Sequence, residues 1–168
     1  MNSHKQEPTI ITLKITSKAH CVSLLGEAIQ TMCLHATGNA TYALEFQRAV
    51  VEHLNNIILH AYNNESGHDI LVEWRQEKDF LSIDITDYGL SLSHLPPLAL
   101  PDFDAENGRG WWIISSCVDK YFYKVVEFIQ IDRLISPSNQ IDYSVQSVVN
   151  SHSNVLTLIK YFPSIDTK

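Results

Sequence analysis

Polar and apolar residues alternate from Thr9 to Ile15, placing Ile11, Leu13 and Ile15 on one side, the pattern of a half-buried strand. The period then lengthens. Val22, Leu25, Ala28, Ile29 and Met32 recur at three and four, which predicts a helix with Ser17 as its cap. Gly38-Asn39, a pair that accepts left-handed backbone, closes it. A second helix is predicted from Thr41 to Ala61, stopped by the cluster of Asn63, Asn64 and Gly67. Ile70 to Arg75 and Phe80 to Asp87 are apolar-rich runs separated by Gln76-Glu77-Lys78-Asp79, a hairpin signature.

From Tyr88 to Asn107 the chain has no clear period. It holds Pro96, Pro97 and Pro101 together with Asp102, Asp104 and Glu106, and long connections of this kind are often functional lids. Trp111 to Val118 is predicted as a short, very apolar helix whose paired tryptophans read as core. Tyr121 to Leu134, Ile141 to Val149 and Val155 to Phe162 are predicted as strands. No internal repeat and no linker divides the chain, so residues 1–168 are expected to form one domain.

Composition narrows the function classes. With 45% hydrophobic and 18% charged residues the chain is an ordinary globular protein, not a disordered one. A formal net charge of −7 argues against a nucleic-acid partner, because no basic stripe is available to displace counterions. A polyanionic ligand would need a metal ion or local backbone donors. Cys21, Cys33 and Cys117 form no Cys-x-x-Cys pair, which suits reduced thiols. The eight histidines lack zinc-ligand spacing. Met1 to Thr16 does not read as a signal peptide, and no apolar run is long enough to span a bilayer, so a cytoplasmic protein without a membrane partner is expected.

Three motifs bear chemistry. On the second helix Phe46, Val50, Leu54, Ile57, Ile58 and Ala61 fall on one side, with Glu52, Asn56 and His60 on the other. This is the solvated face of an amphipathic helix, or it is a rigid pair of oxygen-bearing side chains. In the second reading an amide oxygen binds a hard cation that bridges phosphates, and a carboxylate accepts a proton from an attacking hydroxyl. Leu59 interrupts the polar face, a hint that something covers it.

Asp87-Tyr88-Gly89 after an apolar strand is either a plain turn or an acceptor for the exocyclic amine of a purine, with Gly89 letting the ring approach the backbone. Gly108-Arg109-Gly110 before an apolar helix is either a flexible stem or a set of backbone N–H groups aimed at phosphate oxygens. In the second case Arg109 reaches a terminal phosphate. His60 and Tyr62 are assigned to packing and hydrogen bonding.

In this order and spacing the motifs resemble those of the anti-sigma-factor serine/threonine kinases of the GHKL (HATPase) superfamily. The likeness runs from Leu13 through Glu52-x-x-x-Asn56-x-x-x-His60-Ala61-Tyr62 and Asp87-x-Gly89. It continues through the segment Leu98 to Asp102 and Gly108-Arg109-Gly110 to the closing strand Asn154 to Lys160. The resemblance implies an α/β two-layer sandwich of the Bergerat type, with helices on one face of a mixed, mostly antiparallel sheet. It implies ATP and Mg²⁺ as cofactors, Glu52 as catalytic base, Asn56 as the Mg²⁺ ligand and Asp87 as the adenine acceptor. Gly89 would shape the adenine pocket, and Gly108 and Gly110 would lie in the lid. It also implies a homodimer that phosphorylates a STAS-domain antagonist and alternately sequesters a sigma factor.

Three features depart from the family pattern. Ser91 stands where many relatives have a second glycine, the lid has Arg109 as its one basic residue, and the stretch from Lys124 to Ser153 is long. That stretch is expected to be an insertion, an extra hairpin for a partner or tolerated surface. A non-catalytic binding module of the same fold is the alternative function. A detached histidine-kinase catalytic domain ranks last, because the chain shows no helical dimerisation segment with a phosphoacceptor histidine.

Overall fold

The N-terminal alternation forms β1 (Thr9–Thr16), which pairs antiparallel with β2 (Asp69–Gln76) so that Leu13 lies opposite Val72. The predicted hairpin joins β2 to β3 (Phe80–Asp87). The computed structural model describes residues 7–95, 109–132 and 147–163. Within them the chain runs on through α1 (Ala19–Thr37), α2 (Ala40–Asn56) and α3 (Arg109–Cys117) to β4 (Lys120–Asp132) and β5 (Ser147–Tyr161). The sheet order is β1-β2-β3-β5-β4, and every pairing is antiparallel.

Alternation decides which face is covered. Ile70 and Val72 of β2, Leu81, Ile83 and Ile85 of β3, and Leu156 and Leu158 of β5 are buried on the same side as the helices. They meet Ile29 of α1, Phe46, Val50 and Leu54 of α2, and Ile114 of α3 in one core. The result is an α/β sandwich with helices against one face of an open antiparallel sheet.

Local detail corrects several expectations. Ser17 does not cap α1: Lys18 holds that position, and the Ser17 hydroxyl instead donates to the Glu65 carbonyl at 2.8 Å and accepts from His68 N–H at 3.1 Å. Gly38 is left-handed (φ 63°), as expected, but Asn39 is extended and caps the next helix through Thr41 and Tyr42 N–H. The second helix is not uniform to Ala61, because its last turn, Ile57–Ala61, widens to a π-helix. The strands expected at Ile141–Val149 and Val155–Phe162 are one continuous β5, with residues 141–146 outside those described.

β5 pairs with β3 from Asn154 to Tyr161, while its residues 147–153 pair with β4 alone. The β4–β5 ribbon therefore runs past the end of β3 at Asp87. Residues 133–146, within the expected insertion, lie outside the described residues, as do Gly108 and the segment from Leu98 to Asp102. Among the described residues no helix is long and apolar enough to cross a membrane.

Candidate functional site

Glu52 and Asn56 sit one turn apart on α2, both partly buried. The first turn of α3 closes on them. A Cβ at Gly110 would lie 2.5 Å from Glu52 Oε1 and 3.1 Å from Asn56 Nδ2, so α3 approaches the polar face closely enough that a side chain there would displace Glu52. Arg109, at the start of α3, is exposed.

The π-helical turn is what links α2 to the Asp87 loop. Tyr62 N–H donates to the Ile57 carbonyl at 2.9 Å, and Asn63 and Asn64 then turn the chain with positive φ. Such single π turns are frequent at functional sites. The Ala61 carbonyl accepts from Leu90 N–H at 3.0 Å. This contact brings Gly89 so close that a Cβ there would lie 2.7 Å from the Ala61 carbonyl carbon. Tyr62 secures the same junction: its hydroxyl donates to the Asp69 carbonyl and accepts from Tyr88 N–H.

Asp87 ends β3 with its side chain on the helix-facing side, 3% exposed. Its Oδ1 accepts from Asn154 Nδ2 at 2.8 Å and from Gly89 N–H at 2.9 Å. Burial pushes its pKa above the usual value, opposed by those two hydrogen bonds and by nearby His152. Among the described residues both bonds fall on Oδ1, which leaves Oδ2 as an acceptor for a ligand. The amide of Asn154 is itself oriented by the Ser91 hydroxyl, which donates to Asn154 Oδ1 at 2.6 Å. His152 Nε2 lies 2.9 Å from the Gly89 carbonyl, which is the acceptor.

A cavity of about 480 Å³ connects these parts, within the size range of small-molecule sites. Asn56, His53, Gly110, Asp87, Ser91, Trp111 and Tyr123 are among the residues that line it. Glu52 borders it behind Gly110 without lining it. Gly89 faces a shallower cleft beside it. His60, assigned above to packing, is exposed and lines the cavity, and Leu59 is 49% exposed among the described residues. Trp111 is buried but is not only core, since it forms part of the cavity wall, and Trp112 is exposed.

Sequence reading missed Asn154, Tyr123 and His53. The signals were present: Asn154 alternates with Leu156 and Leu158, and His53 falls on the apolar stripe of α2 with Val50 and Ile57. Ser91 was read as a departure. In the structure it is a working member of the Asp87 network.

No curated protein is significantly similar to the chain. Residues 15–127, more than half of the chain, match the family model described as the histidine kinase-like ATPase domain. The matched span holds Glu52, Asn56, Asp87, Gly89 and Gly108 to Gly110. The chain belongs to the histidine kinase-like ATPase family.

Proposed function

We propose that this protein is an ATP- and Mg²⁺-dependent protein serine/threonine kinase. In this reading it acts as a homodimeric partner-switching regulator, phosphorylating a STAS-domain antagonist and alternately holding a sigma factor. The observation that supports the nucleotide part most directly is that Asn56, Gly110 and Asp87 line one cavity. Family membership supports the ATP-binding part, and the choice of substrate and partners rests on the resemblance set out above alone.

The residues suit the cofactors. A buried carboxylate with a spare oxygen matches the amine edge of adenine. No three His, Cys, Asp or Glu side chains among the described residues are grouped to hold a metal ion. A cation at Asn56 would therefore take its remaining ligands from phosphate and water, the habit of Mg²⁺. Bound Mg·ATP supplies the phosphoryl group and spreads its charge.

The protein's own contribution is positional. Asp87 fixes the base, and the backbone around Gly110 offers N–H groups at a helix start. In this reading Glu52, which lies beside Gly110, orients the acceptor hydroxyl and takes its proton. The test is calorimetry with Mg·ATP and Mg·ADP, followed by phosphoryl transfer to a STAS-domain protein. Binding lost in Asp87→Asn, with transfer lost but binding kept in Glu52→Ala, is the expected result. Transfer at the wild-type rate by Glu52→Ala would remove Glu52 as the base, and acid-labile label would point to phosphohistidine chemistry instead.

A further inference from the structure

Ser91 stands in the irregular segment after β3 and is exposed, yet its hydroxyl reaches a buried strand residue. It donates to Asn154 Oδ1 at 2.6 Å, and Asn154 is 1% exposed. The other side of that amide faces two oxygens. Asn154 Nδ2 donates to Asp87 Oδ1 at 2.8 Å and to the Gly89 carbonyl at 3.1 Å. Neither oxygen can donate in return while Asp87 is ionised, so the amide has one workable orientation, and Ser91 satisfies its carbonyl end. Asp87 Oδ2 is left over. It takes no hydrogen bond among the described residues, yet it is not sealed: the sealed side-chain polar atoms without a partner belong to His53 and Trp74. Asp87 and Ser91 line the same cavity, so Oδ2 is the carboxylate atom open to a ligand there.

We propose that Ser91 is a positioning residue for purine selection, holding the Asn154 amide on Asp87 Oδ1 so that Oδ2 remains an acceptor for a 6-amino purine. The inference rests on the nucleotide reading above and adds a determinant of base choice to it. An ionised carboxylate can only accept, which suits the amine of adenine and repels the 6-oxo group of hypoxanthine. A protonated carboxyl reverses the preference, since its O–H can donate to a 6-oxo group. Burial favours that protonated form, while the bonds from Asn154 and Gly89 and the nearby His152 oppose it. Tyr62 and Tyr123 also lie near Asp87, and burial raises both phenols, so they stay neutral. Without the Ser91 hydroxyl, Asn154 Oδ1 becomes a buried acceptor with no donor, and the amide loses what holds it against Asp87.

The test is calorimetric titration of wild type, Ser91→Ala and Ser91→Thr with Mg·ATP and Mg·ITP. The two ligands differ at the six-position edge of the purine, so their affinity ratio cancels effects on phosphate binding and on folding. Wild type should prefer ATP. Ser91→Ala should lower the ratio about ten-fold, and Ser91→Thr, which keeps the hydroxyl, should restore it. A purely structural serine leaves the ratio where it was. Ser91→Ala is a surface substitution and is expected to fold.

In an Asn154→Ala background, Ser91→Ala should change the ratio no further. A further fall would mean that Ser91 touches the base itself, which overturns the positioning role. If Asn154→Ala does not fold, the Asn154 side-chain amide resonances of ¹⁵N-labelled wild type decide the matter. Mg·ATP should shift them more than Mg·ITP does, and resonances unmoved by Mg·ATP overturn the proposal. Wild type that binds neither ligand overturns the nucleotide reading and this role with it. Wild type that prefers ATP, with the same ratio in Ser91→Ala, overturns the Ser91 role alone.

Discussion

Asn154 and Asp87 face each other across β5 and β3, and the Asn154 amide donates to Asp87 Oδ1 at 2.8 Å. The pairing is a consequence of register, because the last residue of β3 is opposite the first residue of β5 that β3 can reach. Asn154→Ala should lower stability by about 1–3 kcal/mol, since a buried carboxylate loses a donor. It should also raise the Asp87 pKa further. Urea unfolding and NMR titration of the Asp87 carboxyl would check both. An unchanged urea midpoint would mean that the bond contributes nothing.

Asp87→Asn keeps an acceptor for the bonds from Asn154 Nδ2 and Gly89 N–H while removing a buried charge. The Asp87 pKa is raised in the fold, so the associated stability is present below the ordinary value of 3.8 and is lost as pH rises through the folded value. At pH 7 the apo variant should be at least as stable as wild type, with a gap that narrows on acidification. Thermal melts at pH 7 and pH 4 would check this, and nucleotide binding should be lost at both.

Gly89→Ala should be strongly felt. The new methyl meets backbone, 2.7 Å from the Ala61 carbonyl carbon, which cannot swing aside as a side chain can. Overpacking of this kind costs about 1–3 kcal/mol. Denaturation should register it, and so should the Leu90 amide, whose hydrogen exchange should speed up as its bond to Ala61 is strained.

Gly110→Ala makes the opposite prediction. Its methyl meets Glu52 Oε1, the far end of a flexible side chain. We expect a stability change within about 0.5 kcal/mol, because Glu52 can rotate away. Phosphoryl transfer should fall sharply, because that rotation displaces the proposed base. Loss of stability with unaltered turnover would reverse this account.

His53 gives a pH signature independent of nucleotide. Its pKa falls from 6.5 to about 3 on folding, so its contribution is complete above 6.5 and is lost as pH falls toward 3. Between those limits wild type should lose more stability than His53→Gln, which has no proton to bind. Urea midpoints across that range measure the difference.

Much of the fold was legible because it is periodic. Strand alternation and the three-four spacing of α1 and α2 are local properties, and they placed the helices, the β2–β3 hairpin and the motif-bearing ends of α2 and β3. The paired positions Glu52 and Asn56 were legible for the same reason, since their shared face follows from helix geometry alone. What the turn at Ile57–Ala61 would do was not legible. The Ala61 carbonyl at the end of this π turn accepts from Leu90 N–H of the Asp87 loop, a partner far away in sequence.

The sequence by itself determined the candidate residues Glu52, Asn56 and Asp87 and which stripe of each element is apolar, because both are set within a few residues of chain. The tertiary structure alone decided that Asn154 and Ser91 serve Asp87 and that Gly110 abuts Glu52. Each of these depends on strand register or on helix–helix approach over dozens of residues. Spacing along the chain does not encode such distances; packing of the shared core does.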